Sequence, residues 1–188
     1  MQITTLTVGI VGTCCYILSR ENSTDCIVID PGAEPERIRR AANGKRIAAI
    51  LLTHGHFDHI GAVAALKEED TPVLIHELDA PMLGDPDLNV SRPLIRRDVT
   101  APPATDLLQE GSRRTLAGLD IEVLHTPGHT PGSVCFRIED HLFTGDTLFE
   151  HGWGRTDFPG GDEHTLFASL RRIMHIAQSI PFHPGHET

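Results

Sequence analysis

No run of about eighteen apolar residues occurs in this 188-residue sequence, which leaves it without a helix able to cross a membrane. No basic leader precedes an apolar stretch at its start either. Met1-Gln2-Ile3-Thr4-Thr5-Leu6-Thr7-Val8 alternates polar and apolar residues and reads as a strand rather than a signal peptide, so the protein is expected in the cytoplasm. Basic residues are scarce. Lys and Arg number 16 against 26 Asp and Glu, and the resulting formal net charge of −10 repels polyanions and disfavours nucleic acid as a partner. The four cysteines, Cys14, Cys15, Cys26 and Cys135, show no C-x-x-C spacing, and three lie in apolar, strand-like stretches. Reduced, buried thiols are expected.

Aromatic residues make up only 5% of the chain, whereas histidine reaches 12 residues, an enrichment that points to metal or proton chemistry. With 39% hydrophobic and 22% charged residues, residues 1–188 have the composition and length of a single folded domain. Short apolar runs bounded by turn residues predict strands at Cys14 to Leu18, Cys26 to Ile29, Ile47 to Leu52, Val73 to Ile75, Ile121 to Leu124, Val134 to Ile138 and Leu142 to Phe143. Helices are predicted at Glu34 to Ala42, Ile60 to Glu69, Glu77 to Leu83 and Glu163 to Ala177. The last carries Leu166, Leu170, Ile173 and Ala177 at helical spacing. The fold class is α/β, a layered sandwich with helices outside. Leu83 to Thr105 holds four prolines without a sustained period and is expected to be a long surface loop, of the sort that covers or edges a binding site.

The densest chemistry lies in Thr53-His54-Gly55-His56-Phe57-Asp58-His59, directly after an apolar run and before a helix-like segment. A loop at a strand-to-helix junction can turn imidazoles and a carboxylate toward common points, which a strand's alternation or a helix's single face does not easily allow. Three converging imidazoles would compete for few partners unless a cation satisfied them, so a metal site is favoured over solvated side chains. Three weaker pieces repeat the theme of a strand ending in a ligand: His129 after a Pro-Gly turn, Asp146 after Gly145, and His186 after Pro184-Gly185. Together with the first motif they complete a set for two metals.

Through His54-x-His56-x-Asp58-His59, His129, Asp146 and His186 the sequence closely resembles the metallo-β-lactamase-fold hydrolases, particularly the short glyoxalase II-like proteins, from about Gly9 to the C-terminus. The resemblance implies a four-layer αβ/βα sandwich. It implies His54, His56 and His129 on a first metal, Asp58, His59 and His186 on a second, and Asp146 bridging. The cofactors would be two divalent ions, zinc first with iron or manganese as alternatives, and a bridging hydroxide would attack an acyl carbonyl. Asp58 and Asp146 are the catalytic candidates, Asp58 as a proton-steering group. Asp30 reads first as part of an Asp-Pro-Gly turn, and the resemblance places it near the loops that support the site. His183 adjoins the His186 turn and is a candidate supporting residue, whereas His76, His125, His141, His151, His164 and His175 have no ligand spacing and are expected to be solvated or packed.

The expected substrate is a small acyl-thiol. Where glyoxalase II carries a lysine and a tyrosine that hold glutathione, the matching positions are Arg155 and Asp157, and Arg155 is equally readable as a substrate contact or as a salt bridge to Asp157 or Asp162. The helical domain that completes the glutathione pocket of glyoxalase II has no counterpart before the chain stops at Thr188. With a ligand so near a free end, a short native tail is expected. Two alternatives stand beside thioester hydrolysis: a persulfide dioxygenase using one iron, whose family shares this ligand framework and a Gly-Arg-Thr-Asp-Phe segment like Gly154 to Phe158, and a non-enzymatic metal-binding module.

Overall fold

The computed structural model describes residues 1–187. Six strands form a first sheet in the order β1 (Gln2–Val8), β2 (Thr13–Ser19), β3 (Asp25–Ile29), β4 (Arg46–Leu51), β5 (Val73–His76), β6 (Asp106–Leu108). β1, β2 and β3 pair antiparallel, and β3 through β6 run parallel. Five strands form a second sheet. β7 (Arg113–Leu116), β8 (Leu119–His125), β9 (Val134–Ile138) and β10 (His141–Gly145) make an antiparallel meander, and β11 (Phe182–Pro184) adds parallel to β10.

The central strands of the first sheet read as continuous apolar runs because both of their faces are covered. Ile27, Ile29, Leu51 and Leu74 face Val123, Phe136, Ile138 and Phe143 of the second sheet. On the opposite face Cys26, Val28, Ile50 and Val73 pack under Ile38 of α1 (Pro35–Ala41), Ile60 of α2 (Phe57–Ile60), and Val63 and Leu66 of α3 (Val63–Leu66). The second sheet turns Leu124, Cys135 and Leu142 outward onto Ile173 of the long C-terminal helix Glu163–Ala177. Helix, sheet, sheet and helix thus form the four expected layers. All four cysteines are free and buried. Among the described residues no helix is long and apolar enough to cross a membrane.

The long helix occupies the span its periodicity predicts, started by Asp162, whose carboxylate accepts Thr165 N–H. The helix expected from Ile60 to Glu69 is instead two single turns, α2 and α3. At the break Ala62 N–H donates to the Pro31 carbonyl rather than to its own helix, and a Cβ on Gly61 would lie 2.3 Å from the Gly32 carbonyl oxygen. Close docking on the Pro31-Gly32 turn overrides the helical period. Only Ala80–Leu83 of the Glu77 to Leu83 stretch is helical, as a 3-10 turn carrying Pro81. The 83–105 stretch is more ordered than a surface loop. It contains the one-turn helix α4 (Ser91–Ile95), and its Asn89, Val90, Ser91 and Ala101 are buried.

Phe136 is fully buried between the sheets. Phe136→Ala is expected to destabilise the protein by about 3–5 kcal/mol, read as a lower urea midpoint at unchanged slope. A midpoint equal to wild type would contradict the packing described.

Candidate metal centre

The ligand candidates all follow carboxyl ends of strands at one rim of the sandwich. β4 runs into Thr53 to His59, β8 into His129, β10 into Asp146 and β11 into His186, while β3 ends at Asp30. In parallel strands such ends share an edge, the usual location of ligand sites in α/β sheets.

Three groups of ligand atoms lie within 4.8 Å of one another: His54, His56 and His129; His54, His59 and Asp146; and Asp58, His59 and His186. The seven residues form one continuous cluster. His56 Nδ1 is 2.9 Å from His129 Nε2, and His186 Nε2 is 3.3 Å from Asp58 Oδ2. Asp146 Oδ2 stands between the two ends, 3.5 Å from His129 Nε2 and 3.4 Å from His186 Nε2. Neither tight glycine near it tolerates a side chain. A Cβ on Gly185 would sit 2.2 Å from Asp146 Oδ1, and one on Gly145, at φ +50°, would meet the Thr53 hydroxyl at 2.5 Å.

The outer atoms of several rings are fixed by groups whose bonding chemistry assigns the proton. His129 Nδ1 lies 2.6 Å from the Arg155 carbonyl, which can only accept, so Nδ1 carries the hydrogen and Nε2 presents a lone pair. Thr53 donates its hydroxyl to Asp30 Oδ2 at 2.6 Å and therefore accepts from His54 Nδ1 at 3.1 Å, leaving His54 Nε2 as the free lone pair. Asp30 Oδ1 also accepts Thr53 N–H at 2.8 Å, and its Oδ2 lies 3.0 Å from His59 Nδ1, close enough to pair charges although out of line for a hydrogen bond. Asp30 thus braces two candidate ligand residues, His54 through Thr53 and His59 directly. Thr13 donates to Asp58 Oδ2 at 2.8 Å, and the Tyr16 hydroxyl donates to the Pro184 carbonyl at 2.6 Å, just before His186.

A second brace carries no local signal in the sequence. Asp79 is fully buried; its Oδ2 accepts Gly55 N–H at 3.0 Å and the Thr130 hydroxyl at 2.6 Å, and its Oδ1 accepts Gly132 N–H at 2.6 Å. It ties the His54 to His56 loop of one sheet to the His129 loop of the other. Burial pushes its carboxyl above the ordinary range despite these donors.

A cation fits this donor set. His54 Nε2, His56 Nε2 and Asp146 Oδ1 are buried without a hydrogen-bond partner, an arrangement that costs stability unless something else satisfies it. Burial, and then the neighbouring His129 ring, pushes His56 down to about 3; burial, with His59 beside it, drives His54 well below the imidazole range as well. Both are held neutral, the form that binds metal. Burial opposes charge on His59 and His186 too, yet the carboxylates around them prevail. Asp58, Asp146 and Asp30 hold His59 well above its ordinary value, and hydrogen bonds to Asp146 and Asp58 hold His186 up at about 9. Although burial opposes it, His59 and His186 hold the Asp58 carboxyl down at about 2. The second half of the cluster is therefore a set of carboxylates and imidazole protons, and a divalent ion would take the place of the protons.

The remaining sequence candidates fall outside the cluster. Arg155 pairs with Asp157 through Nε and Nη2, both at 2.6 Å, while Asp162 is engaged as the helix cap. Its guanidinium carbon lies 4.1 Å above the Phe158 ring. His183 does not support the ligands as the sequence suggested. Its Nε2 is 2.8 Å from His141 Nδ1 and its ring stacks on Phe143, because β11 pairs it opposite Phe143 and aligns it with that strand's core face. His125 stacks on His76 with ring centroids 4.0 Å apart.

The model of the metallo-β-lactamase superfamily matches residues 9–175, and the chain belongs to that superfamily. Hydroxyacylglutathione hydrolase GloC of Haemophilus influenzae is 35% identical over 183 residues, covering 88% of this chain and 82% of the relative. Among solved structures, the B3 metallo-β-lactamase BLEG-1 superposes with a TM-score of 0.93 at 36% identity, covering all of this chain and 92% of its own. TTHA1623, solved in a di-iron-bound form, superposes with a TM-score of 0.85 at 38% identity over 98% of this chain and 92% of its own.

Two expectations follow. Asp79→Asn keeps the size of the side chain but sets an N–H₂ group against donors, so metal affinity should fall on the order of 10–100-fold, as when groups that orient ligands are altered. Chelator competition at matched circular dichroism measures it, and wild-type affinity would remove Asp79 from the support of the site. The second concerns pH. Because the folded pKa values of His59 and His186 are raised, their contribution to the stability of demetallated protein is present below the unfolded value of about 6.5 and is lost as pH rises through about 9. The melting temperature of chelator-treated protein should fall across that window, and metal-loaded protein should not share the slope.

Proposed function

We propose that the protein is a dinuclear metal-dependent hydrolase acting on thioesters. The observation that carries this reading is Asp146, a carboxylate within reach of both histidine groups that lines a cleft of about 380 Å³. His54, His56 and His129 would hold one ion and Asp58, His59 and His186 the other, with Asp146 between them offsetting their repulsion. The ions, when bound, supply Lewis acidity toward an acyl oxygen and acidify a water to the point where it attacks near neutral pH. Zinc is the first choice for so imidazole-rich a set, with iron or manganese as alternatives.

The chain's own residues supply the rest. Asp58 and Asp146 line the cleft as carboxylates and are the acceptors available to orient the attacking water's protons. The reaction places the water's OH on the acyl carbon, breaks the carbon–sulfur bond and returns the remaining proton to sulfur. The likeness to GloC supports the thioester class, and the commitment of Arg155 to Asp157 argues against the glutathione portion as the main handle. The likeness to BLEG-1 supports β-lactam hydrolysis as a second reading.

Chelation is expected to abolish thioester cleavage, and Zn²⁺, Mn²⁺ or Fe²⁺ to restore it, with elemental analysis giving two ions per chain. One iron with oxygen uptake on a persulfide, turnover of a β-lactam alone, or tight metal binding with no turnover would each overturn the proposal. His129→Ala should lose more activity than the roughly 10–100-fold that supporting groups cost, whereas His125→Ala should keep most of it. Equal losses in two folded, metal-replete variants would remove His129 from the ligand set.

A further inference from the structure

The wall of the cleft away from the ligands is apolar. Val11 from the β1–β2 turn, Phe57, Val90 and Leu94, together with Phe149 and Phe158, line it opposite His56, Asp58, His129, Asp146 and His186. A second depression of about 350 Å³ shares Val11, Phe57 and Asp58 with it and continues past Val8, Ile10, Ile95 and Val99. The two adjoin at Val11, Phe57 and Asp58, and together they form a trough-like apolar surface from the candidate metal ligands to the 95–99 segment. Its lips are aliphatic and face water. Ile10 is 86% exposed, and Val11 and Leu94 are 50% exposed. A contiguous apolar surface of this kind, opening on a polar reaction centre, is the form of a ligand site.

Val90 adds an independent mark. Its backbone has φ +59°, a left-handed conformation that a β-branched residue avoids. The strain is held in place by Asn89, which is fully buried. Its Nδ2 donates to the carbonyls of Met82 and Val99 at 3.0 and 2.8 Å, its Oδ1 accepts Ser91 N–H at 3.0 Å, and its carbonyl accepts Phe57 N–H at 3.0 Å. Strain maintained by a dedicated network is characteristic of binding sites, and here it fixes one wall of the trough to the residue that begins the helix carrying Asp58 and His59.

The charges around the trough select against a polar anionic ligand. Arg155 is the one Lys or Arg among the residues lining either depression, and its Nε and Nη2 are both on Asp157. Glu34 and Glu187, carboxylates outside the proposed ligand set, line the same surface. A tripeptide thiol recognised through its carboxylates finds no uncommitted cation there.

We propose that this trough is the acyl subsite and that the group it takes is an aliphatic chain of medium length carried as a thioester. The reaction rests on the function proposed above; the binding does not. The test uses zinc-loaded full-length protein with acetyl, butyryl, hexanoyl and octanoyl thioesters of N-acetylcysteamine, and lactoylglutathione as a polar comparator. The specificity constant kcat/KM should rise by about fourfold per methylene until the trough is filled, and octanoyl should exceed lactoylglutathione. Leu94→Asp, at an exposed position, should flatten the octanoyl-to-acetyl ratio measured within the variant.

Calorimetry with acetate, hexanoate and octanoate reads the subsite without turnover. Octanoate binding tighter than acetate with no thioester cleaved would keep the subsite and overturn the hydrolase reading. Cleavage of every thioester at an octanoyl-to-acetyl ratio near one, with octanoate no tighter than acetate, would overturn the subsite and leave the hydrolase standing. A preference for lactoylglutathione over octanoyl would likewise overturn it, as would an undiminished ratio in Leu94→Asp.

Discussion

Crowding imidazoles and carboxylates into a dry space, with the inward atoms of His54, His56 and Asp146 left without protein partners, is the constraint around which the molecule is arranged. Each such atom costs about 1–3 kcal/mol when nothing satisfies it. The surrounding structure must hold the cluster open against that penalty and hand the atoms to a cation. This is why the site sits where two sheets present strand ends at one rim. Short, stiff connections from β4, β8, β10 and β11 can aim side chains inward without a long loop that would collapse onto them.

Two buried aspartates do most of the holding. Asp30, at the end of β3, fixes Thr53 and through it the tautomer of His54, and it also faces His59. Asp79 bonds Gly55, Thr130 and Gly132 and so locks the ligand loops of opposite sheets to one another. Neither residue belongs to the groups that can hold an ion. Both use a carboxylate because it accepts several hydrogen bonds at once and donates none, the chemistry required to gather backbone N–H groups at a turn. The glycines at 145 and 185 complete the framework by leaving room where Thr53 and Asp146 approach the backbone.

Charge and apolarity divide the remaining work. The net charge of −10 favours the approach of cations, and the carboxylates of the second candidate group hold protons on His59 and His186 that an ion would displace. On the other side of the cleft Phe57, Val90, Leu94 and Phe158 keep the surface apolar, so the environment where acyl chemistry would occur is poor in competing water. Phe158 joins the two halves, with its ring edge-on to His56 at 5.5 Å and its other contact the Arg155 guanidinium.

The sequence by itself determined the fold class, the core strands and the densest part of the candidate ligand cluster, because these rest on local or near-local patterns. Apolar runs such as Ile47 to Leu52 mark strands covered on both faces, and His54-x-His56-x-Asp58-His59 concentrates donors in one loop. The Glu163–Ala177 helix was legible from its period alone. Tertiary structure decided what depends on distant partners. The edge strands β6, β7 and β11 are too short to show a period and exist through pairing. The break at Gly61-Ala62 comes from docking on Pro31-Gly32. Asp79 acts on groups 24 to 53 residues away, and Asn89 turns a proline-containing stretch into a rigid wall. His183 was misplaced because its neighbour in sequence is a ligand while its neighbour in space is Phe143. A hydrogen bond or a strand pair between remote segments leaves no period and no spacing in the sequence, so only the folded chain reveals which carboxylate braces the site and which residues wall its cleft.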